Sequence, residues 1–263
     1  METTYSRLIN HCRLQLQKEF IICGELIITY GQFLSSVNSV ATMLLDRGIS
    51  TGDRVIVESG NAANSLIGIV SSFAVGAIAV PLSGSDQETV KSVIKDCRPR
   101  AVILADSCSS QRATSFDQIS TQVFPATIDS INFAEIENRD KSITSNCPAI
   151  ILYTSGTTSG KRRGVLVTHG NLFHINEYLT HFMKLSREVR EYCLAPVDFA
   201  FGFGRARAIL WVGGTLVVSD RLAHPVHGLV EIKQKRCNAI SSVSAGFVLF
   251  LDHFESEFRE IGQ

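Results

Sequence analysis

The sequence predicts an α/β protein, layered, with mainly parallel sheets and crossover helices. Four short apolar runs carry that expectation: Val55–Val57, Ile78–Val80, Ala101–Leu104 and Ile150–Leu152. Each is too short for a buried helix and lacks polar alternation, which is the pattern of a parallel strand covered on both faces. Helical periodicity lies between several of them. With 263 residues, 45% of them hydrophobic, the chain has ample material for a core, as one large domain or two small ones.

The first helix is read from Val37, Val40, Ala41, Leu44 and Leu45, which share one helical face. Thr29 is its N-cap and Gly48 its stop at C′. The stretch Ser59–Ser85 carries no formal charge, but Asn61, Asn64, Ser65, Ser71, Ser72 and Pro81 break any membrane-spanning run. It reads instead as a buried helix that turns at Gly76 into the strand Ile78–Val80. Residues Ser107–Ser145 are more polar and predict loops and edge structure. Gly214–Val218 predicts a later strand, and Phe247–Ile261 is helix-like. Neither an internal repeat nor a low-complexity tract is visible.

Composition excludes several classes. Twenty-five basic and 25 acidic residues give zero formal net charge, so no electrostatic case for nucleic acid exists. The cluster Lys233–Arg236 reads as a solvated face. The seven cysteines (Cys12, Cys23, Cys97, Cys108, Cys147, Cys193, Cys237) are scattered, without a Cys-x-x-Cys pair. That pattern predicts reduced thiols and a cytoplasmic location rather than disulfides or zinc. Polar and charged residues interrupt the first thirty positions, so no signal peptide is read. His174 and His181 stand seven apart without a carboxylate partner, and no metal site is expected from them.

The most informative stretch is Ile150–Asn171, IILYTSGTTSGKRRGVLVTHGN. An apolar run is followed by small and hydroxylated residues, then Gly160, three cations and Gly164, then a second apolar run. Hydroxyls, backbone N–H groups and cations on one loop suit a polyphosphate. The spacing is not that of the G-x-x-x-x-G-K-[ST] loop, because Gly160 follows Gly156 by four residues and Lys161 precedes Arg162. β-prone residues on both sides predict strand–loop–strand, with a helix starting only at the N-cap Thr168. His169 and Asn171 are read as helix-start packing.

YTSGTTSGKRRGV resembles the phosphate loop of the AMP-forming acyl-adenylating superfamily, which includes acyl-CoA synthetases, luciferases and peptide-synthetase adenylation domains. The usual form is (Y/F)-T-S-G-(T/S)-T-G-x-P-K-G-V. This chain has one extra residue between Thr158 and Gly164, Arg162 in the usual proline position and Arg163 in the usual lysine position. Leu26–Val57 resembles the family's Thr-Tyr helix and G-(I/V)-x-x-G-D-x-V turn, Phe73–Ser83 its K-A-G-A-x-x-V-P-L segment, and Ala195–Val218 its acyl-pocket segment ending in G-G-T-L-V.

The resemblance implies ATP-dependent activation of a small carboxylic acid to an acyl-adenylate. Transfer to a thiol follows, either coenzyme A or the phosphopantetheine of a carrier protein. ATP and Mg2+ are the implied cofactors. Thr154, Ser155, Gly156, Thr157, Thr158, Gly160, Lys161 and Arg163 are implied to hold the ATP phosphates, and Phe199, Ala200, Phe201 and Gly202 to line the acyl pocket. Nothing beyond the phosphate loop is assigned a catalytic role. The fold implied is a large N-terminal domain, present here in part. Its possible lobes are residues about 50–182 with the phosphate loop, and about 20–48 plus 183–263 with the pocket, and Gly214–Val218 lies in a second sheet. The family's aromatic-Gly-x-Thr-Glu loop, ribose-binding Asp and C-terminal domain with its Lys do not occur in the 263 residues. A fragment, a split enzyme needing a further C-terminal segment or subunit, and a degenerate non-catalytic relative therefore stay open. Amino-acid-activating members place an Asp in the pocket segment to pair the substrate ammonium, and that position falls on Ala200. Asp198 lies two residues earlier and, on a strand, would face the same side. An acid without an α-amino group is therefore the expected substrate.

Overall fold

A computed structural model describes residues 4–58, 61–82, 87–105, 116, 122–126, 143–154, 162–218, 225–248 and 251–252. In chain order the elements are α1 (Thr4–Leu14), β1 (Glu19–Cys23), β2 (Leu26–Thr29), α2 (Tyr30–Asp46), β3 (Arg54–Glu58), α3 (Ala62–Ala74), β4 (Ile78–Pro81), α4 (Gln87–Cys97), β5 (Ala101–Ala105) and β6 (Gln122–Ala126). There follow β7 (Pro148–Tyr153), β8 (Gly164–Thr168), α5 (His169–Phe182), β9 (Arg190–Cys193), α6 (Ala200–Val212), β10 (Thr215–Val218), α7 (Pro225–Gln234) and β11 (Ala239–Ser241).

Two sheets result, ordered β6-β5-β3-β4-β7-β8 and β11-β9-β10-β1-β2. Every described pairing is parallel except the two hairpins at sheet edges, β7–β8 and β1–β2. The four apolar runs are therefore four strands of one parallel sheet, and the later strand β10 lies in the second.

Their continuous hydrophobicity has a packing cause. One core cluster runs through α1, α2, α3 and α6 and the facing strands of both sheets. A second, with Ile56, Val80, Val90, Val93 and Val102, covers the other face of the first sheet beneath α4. A third, with Ile22, Tyr192, Val217 and Ile232, covers the other face of the second sheet beneath α7. Strands covered on both faces have no solvated side on which to place polar residues.

α2 forms as its signals predict. Thr29 accepts from Gln32 N–H while the Gln32 side chain accepts from Thr29 N–H, a reciprocal cap. Val37, Val40, Ala41 and Leu44 are fully buried, and each larger side chain contributes roughly 1.5–3 kcal/mol by leaving water. Gly48 takes φ 75°, and Ile49 N–H reaches back to the Leu44 carbonyl (3.0 Å). The same ending closes α3, with Gly76 at φ 71° and Ala77 N–H on the Ser72 carbonyl (2.9 Å). α3 is buried from Ala63 through Ala74, as a helix apolar on all sides should be. The Ser71 and Ser72 hydroxyls donate to carbonyls four residues back, so their burial leaves no polar group unmet. Among the described residues no helix is long and apolar enough to cross a membrane.

One local expectation is overturned. Asp198 and Ala200 do not share a strand. Phe199 N–H turns back to the Pro196 carbonyl (3.2 Å), Phe199 is the extended N-cap, and Ala200 opens α6. Pro196 and Asp198 favour a turn, and the Arg- and Ala-rich run that follows favours helix.

Candidate functional site

The hydroxyl-rich loop joins β7 to β8 as strand–loop–strand. β7 and β8 pair antiparallel with Tyr153 opposite Gly164. One step further, Thr154 N–H donates to the Arg163 carbonyl (3.0 Å) and Arg163 N–H donates to Thr154 Oγ1 (3.2 Å). These bonds close the loop mouth and seat Arg163 there, its side chain exposed, with Arg162 half-buried beside it. Gly164 is needed on packing grounds, because a Cβ there would stand 2.9 Å from Ile151 and 3.1 Å from the Tyr153 ring. The Tyr153 hydroxyl donates to Asp96 on α4 (2.6 Å), and burial together with that carboxylate raises its pKa and keeps the phenol protonated. Ser155, Gly156, Thr157, Thr158, Gly160 and Lys161 lie outside the described residues.

Beyond β8, Thr168 and Asn171 cap α5 reciprocally. His169 follows, fully buried against Phe73 at 5.2 Å between ring centroids. Burial lowers its pKa to about 4, so the imidazole is neutral at physiological pH.

The acyl-segment candidates cluster at the start of α6. Phe199, Ala200 and Phe201 are exposed, whereas Phe203 belongs to the core. Gly202 faces backbone, since a Cβ there would fall 2.1 Å from the Pro196 carbonyl oxygen and 2.7 Å from that of Ala195. Its lack of a side chain lets the 195–199 turn fold onto α6. Asp198 is half-buried and accepts a hydrogen bond from Ser65 on α3. The loop and this segment both leave carboxyl ends of parallel-sheet strands, β7 and β9. Open α/β sheets bind ligands at those ends.

Three polar features of this region escaped sequence reasoning. Arg205 and Glu191 form a two-pronged ion pair, with Nε to Oε1 at 2.8 Å and Nη2 to Oε2. Their side chains are 8% and 1% exposed. The Glu191 bonds raise the Arg205 pKa further. Arg207 is buried and has no such carboxylate partner among the described residues. Its Nε donates to Asn176 Oδ1 (2.7 Å) and its guanidinium lies over the Phe203 ring (5.0 Å). Burial alone pulls its pKa down to about 10, so it remains a cation. Third is the Ser65–Asp198 bond. The only signal in sequence was Arg-x-Arg inside an otherwise apolar run, where charges must be paired or used. Among the described residues no group of three His, Cys, Asp or Glu could hold a metal ion.

The comparisons agree with this geometry. The chain is 29% identical over 205 residues to vanchrobactin synthetase VabF of Vibrio anguillarum, covering 78% of this chain and 7% of that protein. It superposes on the N-terminal domain of FACL13 from Mycobacterium tuberculosis with a TM-score of 0.85 at 18% identity, covering 97% of this chain and 66% of that one. The N-terminal subdomain of Klebsiella oxytoca NpsA, solved with 3-hydroxybenzoyl-AMSN, gives a TM-score of 0.82 at 18% identity, covering 98% and 64%. The chain spans 5–7% of the length of the large synthetases it matches and about two thirds of these solved chains. The two-sheet fold is thus that of the N-terminal domain of adenylate-forming enzymes. The sequence profile of the AMP-binding enzyme family matches residues 9–261, nearly the whole chain, and the protein belongs to that family.

Proposed function

We propose that this chain takes part in ATP-dependent activation of a carboxylic acid to an acyl-adenylate, for transfer to coenzyme A or a phosphopantetheinyl carrier protein. The observation carrying the reading is the β7–β8 hairpin, whose loop mouth is closed by hydrogen bonds between Thr154 and Arg163 and carries the exposed Arg163 side chain. That donor set fits a phosphate, which accepts forked N–H bonds. Arg163 and Thr154, with Ser155, Gly156, Thr157, Thr158, Gly160 and Lys161, would hold the β- and γ-phosphates. Donors fixed there before reaction stabilise the charge that grows on departing pyrophosphate. Mg2+ would sit on the phosphates of the nucleotide and supply charge neutralisation. Phe199, Ala200, Phe201 and Gly202 would border the acid, and the exposed rings of Phe199 and Phe201 give it an apolar wall. The lobes proposed are residues about 50–182 around the loop, and about 20–48 plus 183–263 around the acid.

The acid proposed has no α-amino group. Ala200, the position where amino-acid-activating relatives of the motif carry the pairing Asp, offers no anion for an ammonium, and Asp198 lies before the helix rather than on a strand with Ala200. A second reading, a non-catalytic nucleotide- or acyl-binding relative, is favoured by Arg162 and Arg163 standing where the related motif has Pro-Lys.

These 263 residues alone are expected not to catalyse exchange, so the test is Mg·ATP binding by this chain, measured by calorimetry, together with acid-dependent ATP–pyrophosphate exchange across fatty, aryl and amino acids by a chain that also carries the family's aromatic-Gly-x-Thr-Glu loop and C-terminal Lys. ATP binding with exchange driven by an acid lacking the amino group supports the reading. ATP binding without exchange from any acid favours the second. Absence of ATP binding overturns the first reading and leaves only the acyl-binding form of the second, which absence of acid binding overturns in turn.

A further inference from the structure

α6 carries a buried cation, Arg207, that meets no carboxylate among the described residues. Ala200, Gly204 and Arg207 fall at i, i+4 and i+7 and share one helical face. The first two are the smallest side chains available. Ala200 is exposed, and the Cβ position of Gly204 meets nothing within 4 Å. Long side chains on a helix lean toward its N-terminus. Arg207 follows that rule, with its guanidinium over Phe203 one turn earlier. The face therefore offers open space beside Ala200 and Gly204 and leads, one turn further along, to a guanidinium that is itself buried.

That guanidinium is underused. Arg207 is 5% exposed. Its polar partner among the described residues is Asn176, through Nε alone. Asn176 is itself fully buried, and its Nδ2 donor has no partner. Arg205, two residues away, shows the ordinary solution, a carboxylate bonded on two prongs. Burying a charge is costly, and a cation over an aromatic face offsets only part of that cost. The remaining need is for an oxyanion accepting from the guanidinium and from Asn176 Nδ2 together.

We propose that Arg207 and Asn176 bind an anionic group at the far end of the substrate, so that the acid activated is a dicarboxylate whose chain runs past Ala200 and Gly204. This rests on reading Phe199–Gly202 as the acyl segment. A planar carboxylate matches the fork of a guanidinium.

The test is calorimetric titration of the 263-residue chain with glutarate and adipate against the length-matched monocarboxylates valerate and hexanoate, with and without Mg·ATP. Three variants accompany it: Arg207→Gln, Arg207→Lys and Gly204→Leu. Wild type should bind each dicarboxylate about tenfold tighter than its monocarboxylate, as expected for hydrogen bonds to a charged group. Arg207→Gln should erase that preference and Arg207→Lys retain part of it. Gly204→Leu should weaken both acids by filling the open space beside Gly204 while leaving the charge in place. Thermal melts identify any variant that fails to fold, and the wild-type comparison of the two acid classes with Arg207→Lys then carries the test. Equal binding of the two acid classes to wild type overturns the proposal. So does a preference that survives Arg207→Gln, or sulfate competing as well as adipate. Mg·ATP binding without the dicarboxylate preference sinks this inference alone. The preference without Mg·ATP binding sinks only the adenylation reading.

Discussion

Thr154 and Arg163 exchange two hydrogen bonds across the mouth of the β7–β8 loop, N–H to carbonyl at 3.0 Å and N–H to Oγ1 at 3.2 Å. The pair extends the hairpin one step beyond the strands. It also brings the Thr154 hydroxyl and the exposed residue Arg163 to the same opening. Thr154→Val removes the Oγ1 acceptor while keeping the β-branched shape. It should loosen the mouth and weaken Mg·ATP binding by a few-fold, consistent with about 1 kcal/mol for one hydrogen bond. Thr154→Ser should preserve binding. Calorimetry on both variants checks this.

Gly202 has no room for a side chain, since a Cβ would stand 2.1 Å from the Pro196 carbonyl oxygen. Backbone must move to admit it. Gly202→Ala should cost about 2–3 kcal/mol, at the upper end of ordinary overpacking. It should also weaken acid binding more than ATP binding, because the displaced turn carries Phe199. Thermal unfolding and separate titrations with acid and nucleotide give the two readouts.

Arg205 and Glu191 tie α6 to β9 through a buried two-pronged pair. Removing one partner strands the other charge, so Glu191→Gln should destabilise by about 3–5 kcal/mol. The double variant Arg205→Met with Glu191→Leu should recover most of that loss, because neither charge is then left unpaired. Urea unfolding of the singles and the double measures the coupling. A double variant as unstable as the sum of the singles would contradict this account of the pair.

His169 gives a signed pH dependence. Burial lowers its folded pKa to about 4, below the value of an unfolded histidine. The unfolded chain therefore takes up a proton between about pH 6.5 and pH 4 that the folded chain refuses. Its contribution is fully present above pH 6.5 and is lost as pH falls through that window, about 3 kcal/mol by pH 4. His169→Phe keeps a ring against Phe73 and has no such proton. The stability difference between wild type and variant, followed by denaturant melts from pH 7.5 to pH 4, should move in the variant's favour as pH falls. A difference that does not change with pH would show that the imidazole already titrates freely in the fold.

The parts legible in the sequence are those determined by neighbours in the chain. Thr29 and Thr168 as caps, Gly48 and Gly76 as stops, and the four apolar strands all follow from local patterns. β1 was not legible, because its register is set by β10, with Ile21 opposite Leu216 far along the chain. The helical start of α6 was not legible, since the FAFGFG run alternates as a strand would. The helix there depends on the Pro196 turn and on packing under α5. The Glu191–Arg205 pair was invisible because its partners lie on different elements. Of the candidate site, the strand–loop–strand frame around Arg163 was legible. The setting of Arg207 was not, because nothing local distinguishes it from Arg205.

The central claim is that the β7–β8 loop binds nucleotide phosphate through Arg163. The most direct test is the Kd for Mg·ATP of wild type, Arg163→Ala and Arg162→Ala, measured by calorimetry at fixed ionic strength. Arg163→Ala should weaken binding by about tenfold or more, the scale of a charge-assisted hydrogen bond to phosphate, and Arg162→Ala should change it little. Equal losses at the two positions, or binding unchanged by Arg163→Ala, would contradict the account.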